Sequence, residues 1–157
     1  MKNIVVIGGG TMGNGIAHTA AASGFDVTLV DVSKEVLDRA VGTISKNLQR
    51  GVDKGKMSAA EKESVLSRIR PASNLEEIGD ADIVIEAIIE NLAAKTDLFQ
   101  KLDEVTKPQC ILASNTSSIS ITKIAAKTSR PDKVIGMHFM NPVPVMTLVE
   151  VIRGIAT

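Results

Sequence analysis

The stretch IVVIGGGTMGNG, residues 4–15, determines the arrangement of the rest of the chain. Its apolar, β-branched start predicts a buried strand, and the three glycines that follow predict a tight turn into a helix. In the spacing Gly8-x-Gly10-x-x-Gly13, the first glycine permits the turn, the second lets the backbone approach a pyrophosphate and the third lets the helix pack on the strand. The N–H groups at the start of that helix favour an anion. By itself, the motif is equally compatible with a glycine turn that binds no ligand.

Length and composition indicate one globular domain. The chain has 157 residues, 44% of them hydrophobic, and its 18 Lys and Arg residues balance its 18 Asp and Glu residues. A balanced charge without runs of one sign gives no reason to expect a nucleic-acid or membrane surface. The single cysteine, Cys110, cannot form an internal disulfide and is typical of a small buried side chain. No targeting segment is evident, so we expect a cytoplasmic protein.

A second strand, over 26–30, delivers Asp31 to its carboxyl end. An acidic residue at this position suits the two ribose hydroxyls of an adenosine, and its charge repels a 2′-phosphate, which favours NAD over NADP. The alternative is that Asp31 supports the N-terminus of the next helix, which begins after Ser33.

The remaining pattern alternates strands and helices. Parallel strands need crossover helices, so the sequence predicts an α/β, Rossmann-like, doubly wound and mainly parallel sheet with strand order 3-2-1-4-5-6. The predicted strands follow at 69–72, 82–87, 111–113, 134–137 and 148–152, and the helices at 33–51, 58–68, 92–105 and 120–127.

The helices at 33–51 and 58–68 follow one another without a strand between them. This predicts a helical hairpin inserted between two strands of the sheet. Lys46, Arg50 and Lys54 recur every four residues along the first helix, and Lys56 follows in the turn. The sequence leaves two interpretations open: a solvated charged face, or a site for a phosphorylated part of a ligand.

His138 ends a predicted strand at the ligand-binding edge, and Glu150 lies on the strand that follows. If the two strands are neighbours, the carboxylate accepts from one imidazole nitrogen and makes the other a general base. Ser117 lies at the same edge, where its hydroxyl can hydrogen-bond the substrate oxygen from which that base takes a proton. An ordinary His–Glu hydrogen bond and simple helix capping are the alternatives. His18 is expected to pack within the first helix, and one cysteine with two distant histidines predicts no metal site.

Five segments carry a close family resemblance: VIGGGTMGNGIA, VIEAIIEN, ILASNTSSISIT, PDKVIGMHFMNPVPVM and LVEVIRGIAT. They resemble the NAD-binding domain of L-3-hydroxyacyl-CoA dehydrogenases, particularly the bacterial 3-hydroxybutyryl-CoA dehydrogenases, over all of residues 1–157. The resemblance implies NAD-dependent interconversion of (S)-3-hydroxyacyl-CoA and 3-oxoacyl-CoA in fatty acid or butyrate metabolism. It implies His138 as catalytic base, Glu150 as its orienting partner, Ser117 as a contact to substrate and nicotinamide, and Lys54 as a contact to CoA. The implied cofactor contacts are Gly8, Gly9, Gly10, Thr11, Met12, Gly13, Asp31, Glu90, Lys95, Ser117 and Asn141.

The chain also departs from that family's pattern. Met140 stands where the family usually has Phe, and Thr147 where it often has Lys. The family further has an all-helical domain that completes the acyl pocket and makes a homodimer, and the resemblance implies that residues 1–157 lack it. We therefore expect this chain to bind NAD and to turn over acyl-CoA poorly alone. A non-catalytic NAD-binding module and a dehydrogenase of free 3-hydroxy acids are the alternatives.

Overall fold

The computed structural model, which describes residues 1–157, is built on one seven-stranded sheet in the order β3-β2-β1-β4-β5-β6-β7. Six strands are parallel and β7 pairs antiparallel with β6 at one edge. The strands are β1 (Asn3–Ile7), β2 (Asp26–Val30), β3 (Ile69–Ala72), β4 (Ile83–Glu86), β5 (Ile111–Ser114), β6 (Val134–Phe139) and β7 (Val149–Arg153). The predicted Rossmann-like fold and strand order are confirmed.

The helices supply the crossovers between parallel strands. They are α1 (Thr11–Ala22), α2 (Lys34–Asp53), α3 (Ala59–Ser67), α4 (Leu92–Val105) and α5 (Ile121–Ala125). The predicted hairpin is formed by α2 and α3, and Ser58 begins α3 with a capping box whose partner is Glu61. None of the helices is both long and apolar enough to cross a membrane.

The core lies in two layers, one on each face of the sheet. One cluster of 17 buried residues packs α1, α2 and α3 against the sheet, and a second cluster of 15 packs α4 and α5 against the other face. Cys110 is buried in the second cluster, as predicted, and burial raises the pKa of its thiol. His18 is buried in α1, where burial lowers its pKa.

Two glycines of the opening motif are required by packing. Gly8 has a φ of 105°, and a Cβ there would lie 2.6 Å from the carbonyl oxygen of Ala87. A Cβ on Gly13 would lie 1.7 Å from the carbonyl oxygen of Gly8. The turn and the close packing of α1 on β1 that the motif predicts are therefore confirmed.

Candidate functional site

The carboxyl ends of the parallel strands gather the predicted site residues on one edge of the sheet, here called the rim. β1 leads into the glycine turn, β2 ends before Asp31, and β4 and β5 lead into the segments that contain Glu90 and Ser117. Ligands of doubly wound sheets bind at this edge, where the strand order reverses, because the loops diverge there and leave a crevice. The reversal lies between β1 and β4.

A cavity of about 450 Å³, here called the glycine-loop cavity, opens over the start of α1. Gly9, Gly10 and Thr11 line one side, and the segment around Asn141 lines another. A Cβ on Gly10 would meet no protein atom within 4 Å, so packing does not explain that glycine. The α1 N-terminus has no side-chain cap, which leaves its backbone N–H groups available to an anion. A phosphate group fits this site.

Asp31 connects the end of β2 to the glycine turn. Its Oδ2 accepts from the Gly9 N–H at 2.8 Å and its Oδ1 accepts from the Ser33 N–H at 3.0 Å. Each carboxylate oxygen has a second lone pair, so these two bonds leave acceptors for a ligand hydroxyl. Asp31 also lines a separate cavity of about 300 Å³ beside Val32 and Leu75. The residue thus holds the glycine loop and faces a space next to it.

His138 and Glu150 are directly opposite each other on β6 and β7. His138 Nδ1 lies 2.8 Å from Glu150 Oε2. A carboxylate only accepts, so Nδ1 carries the hydrogen and the lone pair of Nε2 is available as a base. The side chain of Glu150 is 52% exposed and that of His138 is 25% exposed. The pairing that the sequence predicts between His138 at a strand end and Glu150 on the following strand is present.

A second cavity, of about 310 Å³, contains the imidazole and is here called the histidine cavity. Its walls bring together side chains from four rim segments: Met12, Glu90, Lys95, Asn115, Ser117, His138, Met140 and Asn141. Asn141 lines this cavity and the glycine-loop cavity as well. The two cavities are therefore neighbours along one track across the rim.

Glu90 organises the loop that carries Ser117. Its Oε1 accepts from Thr116 Oγ1 and from the N–H groups of Ser117 at 3.1 Å and Ser118 at 3.3 Å. Partial burial raises the pKa of Glu90, but the Thr116 hydrogen bond, the charge of Lys95 and the two N–H groups outweigh it and leave that pKa below its ordinary value. Glu90 is therefore ionised at neutral pH.

A buried ion pair beneath the histidine cavity was not foreseen from the sequence. Lys95 Nζ lies 2.5 Å from Glu86 Oε1, and the two side chains are 1% and 0% exposed. Ser114 Oγ donates to Glu86 Oε2 at 2.6 Å, and Lys95 also lies 3.4 Å from Glu90 Oε2. The signal in the sequence was a glutamate at the end of the apolar strand IVIE.

Asn115 was also missed. Its side-chain oxygen accepts from the Phe139 N–H at 2.9 Å, so it ties the end of β5 to the strand that carries His138. Asn115 follows directly after β5, where polar residues face the rim. That position was the only available signal.

The basic residues of the hairpin remain separate from these contacts. Lys54 follows the last residue of α2, and Lys46, Arg50, Lys54 and Lys56 are all exposed and form no salt bridge. Unpaired cations on one side of a helix suit an anionic ligand and suit solvent equally well. A contact between Lys54 and a CoA group stays a prediction.

Comparison with known proteins agrees with the geometry. The family model described as the NAD binding domain of 3-hydroxyacyl-CoA dehydrogenase matches residues 3–157. The probable 3-hydroxybutyryl-CoA dehydrogenase of Bacillus subtilis is 57% identical over 157 residues, covering 100% of this chain and 55% of that protein. The 3-hydroxybutyryl-CoA dehydrogenase of Bradyrhizobium diazoefficiens is 53% identical, covering 100% of this chain and 54% of that protein.

Solved structures give the same result. The crystal structure of 3-hydroxybutyryl-CoA dehydrogenase from Escherichia coli K12 superimposes with a TM-score of 0.98 at 49% identity, covering 99% of this chain and 33% of that one. The (S)-3-hydroxybutyryl-CoA dehydrogenase of Ralstonia eutropha gives a TM-score of 0.97 at 46% identity, covering 100% of this chain and 56% of that one. The chain spans about half the length of the curated relatives cited above.

Proposed function

The chain belongs to the family of NAD-binding domains of 3-hydroxyacyl-CoA dehydrogenases, and from this premise we propose that it takes part in the interconversion of a 3-hydroxyacyl-CoA and a 3-oxoacyl-CoA. The observation that carries the proposal is the hydrogen bond between Glu150 and His138, since His138 lines a cavity that adjoins the glycine-loop cavity. A base for the substrate hydroxyl thus lies next to a place for the cofactor.

In this proposal the bound cofactor lies along the rim, across the carboxyl ends of the strands. The α1 N-terminus in the glycine-loop cavity takes the pyrophosphate, and Asp31 takes the adenosine ribose. Asn141, Ser117, Lys95 and Glu90 line the space for the nicotinamide end. When bound, NAD supplies the acceptor or donor of the hydride.

His138 acts as the acid–base group. Its Nε2 takes the proton of the substrate hydroxyl during oxidation and returns it during reduction. Glu150 holds the imidazole through Nδ1 and stabilises the imidazolium that results. Ser117 lies beside both the histidine cavity and the space around Glu150, where its hydroxyl can donate to the substrate oxygen. Lys54 and its neighbours on the hairpin are proposed to receive the CoA phosphates.

We further propose that catalysis requires a cover over β7. Ile152 is 39% exposed and lines one cavity together with His138 and Glu150, and Leu148, which is 55% exposed, lies two residues before Glu150. Exposed apolar patches mark surfaces of interaction, and exclusion of water strengthens the polar contacts of an active site. A helical domain, as the family resemblance implies, would supply that cover and a homodimer contact. A cytoplasmic location likewise stays a prediction.

NADH-dependent reduction of acetoacetyl-CoA, followed by nicotinamide absorbance, tests the proposal. We expect this chain to bind NADH and to turn over little substrate. A chimera in which it replaces the matching residues of the Bacillus subtilis relative should be active. In that chimera, His138→Gln should lower kcat on the order of 10³-fold, because general acid–base catalysis contributes about 10²–10⁴-fold, with NADH affinity unchanged.

The matched control is His18→Gln, since His18 is the other histidine and lies in α1 away from the cavities. It should leave kcat near that of the unmodified chimera. An active His138→Gln chimera would contradict the assignment of the base. A wild-type chain that binds no NADH would contradict the proposal as a whole.

A further inference from the structure

A carboxylate in the centre of an apolar sheet calls for an explanation. Glu86 is the last residue of β4, and its side chain is fully buried. It accepts from three donors, namely Lys95 Nζ at 2.5 Å, Ser114 Oγ at 2.6 Å and the Ile88 N–H at 2.7 Å. Each donor is inside the protein, so the carboxylate exchanges no contact with solvent.

Stability alone does not account for this pair. Removing two charges from water costs several kcal/mol per ion, and replacing a buried ion pair by apolar residues of similar size is often neutral or stabilising. An apolar pair would suit the surrounding strand, since Ile83, Val84 and Ile85 are buried too. The position of the pair therefore points to a role in the site above it.

The pair lies directly beneath the histidine cavity. Lys95 lines that cavity and touches both Glu86 and Glu90, at 2.5 Å and 3.4 Å. The three side chains, here called the Glu86 cluster, contain two carboxylates and one ammonium group. Ionised together, they have one net negative charge. Without the charge of Glu86, the charges of Lys95 and Glu90 would cancel and the cluster would have no net charge.

The oxidised nicotinamide ring bears a positive charge and the reduced ring bears none, while the rest of the two cofactors is the same. We propose that Glu86, acting through Lys95 and Glu90, sets the relative affinity of the histidine cavity for oxidised and reduced NAD. This inference rests on the proposed binding of NAD at the rim. Glu86 is a positioning residue, because Lys95 lies between it and the cavity.

The charges on the other side of the cavity do not change this comparison. His138 lines the cavity from β6 and is paired with Glu150 on β7, and neither contacts a member of the Glu86 cluster. The charges of His138 and Glu150 affect the ratio of NAD⁺ to NADH affinity equally in the wild-type protein and in a variant at Glu86. A difference between the two proteins in the affinity ratio therefore reports on the Glu86 cluster.

The experiment measures the dissociation constants of NADH and NAD⁺ with this 157-residue chain. NADH is titrated by its own fluorescence, and NAD⁺ by displacement of NADH. Glu86→Gln keeps the shape of the side chain and removes one negative charge. At an effective dielectric constant of about 20, a unit charge within about 10 Å changes the affinity ratio on the order of tenfold. We therefore expect NAD⁺ binding to weaken about tenfold relative to NADH binding.

Asp103→Asn is the matched control. It also removes a carboxylate from a mostly buried ion pair, in which Asp103 Oδ1 lies 2.7 Å from Arg130 Nε. Asp103 is on the same helix as Lys95, but about 12 Å further along it at 1.5 Å per residue. Its substitution should leave the NAD⁺ to NADH ratio unchanged.

A double variant keeps the test decisive where Glu86→Gln alone fails to fold. Glu86→Gln with Lys95→Met removes both charges of the buried pair and leaves the net charge of the Glu86 cluster at minus one. The affinity ratio should return to the wild-type value, even if both cofactors bind more weakly for lack of a Lys95 contact.

Three results have distinct meanings. A folded Glu86→Gln protein with the wild-type ratio overturns the inference. A double variant whose preference for NAD⁺ rises about tenfold also overturns it, since Glu86 would then not be cancelling Lys95. A wild-type chain that binds neither cofactor instead contradicts the proposed function.

Discussion

Alanine substitution of Gly10 and of Gly13 should separate the glycine that serves a ligand from the glycine that serves the fold. A Cβ on Gly13 would lie 1.7 Å from the carbonyl oxygen of Gly8, whereas a Cβ on Gly10 would meet no protein atom within 4 Å. Gly10 has a φ of −67°, which any residue adopts. The two substitutions thus add the same methyl group in opposite surroundings.

The cost at Gly13 follows from the clash. Real Cβ atoms almost never approach within 3.0 Å of another heavy atom, so the backbone at Gly13 or Gly8 must move by about 1.3 Å. Overpacking costs about 1–3 kcal/mol, and this contact is with rigid backbone, at the upper end of that range. Alanine is more favourable than glycine in a helix by about 1 kcal/mol, which offsets part of this cost. The net loss of about 2 kcal/mol lowers Tm by about 4–8 °C in a domain of this size.

Gly10→Ala should keep most of its stability and lose cofactor affinity. Alanine is a poorer N-cap than glycine, which costs at most about 1 kcal/mol. The new methyl group stands over the α1 N-terminus in the glycine-loop cavity, so we expect NADH affinity to fall at least about tenfold.

Thermal unfolding by circular dichroism and NADH titration by fluorescence measure both effects. Gly42→Ala is the matched control, because Gly42 lies inside α2 with open space at its Cβ position. It should raise Tm slightly through helix propensity and leave NADH affinity unchanged. A Gly13→Ala protein with the wild-type Tm would refute the packing argument. A Gly10→Ala protein with wild-type NADH affinity would refute the assignment of the glycine-loop cavity to the cofactor.

Two further predictions concern carboxylates away from His138. Asp31→Asn should weaken NAD binding and reduce the discrimination against NADP about tenfold, because the charge that repels a 2′-phosphate is lost. Titration with both nucleotides measures this, with Asp38→Asn on α2 as the control. An unchanged ratio of NAD affinity to NADP affinity would contradict the prediction. Hydrogen bonds from Lys107, and from the N–H groups of Lys2 and Asn3, hold the pKa of Asp82 well below its usual range. A lowered folded-state pKa stabilises the fold above pH about 4 and loses that effect as the pH falls, so Asp82→Asn should lower Tm at pH 7, and the difference from wild type should narrow in acid. Thermal unfolding between pH 7 and pH 3 measures this, and a difference between Asp82→Asn and wild type that stays constant with pH would count against the linkage.

The order of strands was predictable because it depends on local pattern and on the handedness of crossovers. Each apolar run became a strand, and helix α4 spans the residues that its periodicity predicts. The C-terminal end of β6 was harder to predict from the sequence. The sequence indicated a strand ending at His138, whereas β6 continues one residue further, to Phe139. The extension depends on hydrogen bonds from β7, which lies on the far side of a Pro-containing turn.

The candidate site was predictable where a polar residue follows directly after an apolar strand. Asp31 is such a residue, and the structure brings it to the rim. Lys95 was assigned to the cofactor only by resemblance, and nothing in its helix distinguishes it from a surface lysine. Its burial depends on its ion pair with Glu86 on β4, and Glu86 in turn accepts from Ser114 Oγ on the neighbouring strand β5. Such a contact between separate elements leaves no periodic trace in the sequence.

The rim loops are held by the same side chains that are proposed to bind ligands. Asp31 fixes the glycine turn through the Gly9 N–H, and Glu90 fixes the Ser117 loop through two N–H groups. A ligand therefore meets loops that are already ordered and loses less affinity to the cost of ordering them. For the same reason, a loss of binding after Glu90→Gln would not by itself show that Glu90 touches the cofactor. The ratio of NAD⁺ to NADH affinity separates the two effects, because a displaced loop weakens both forms whereas a lost charge weakens only one.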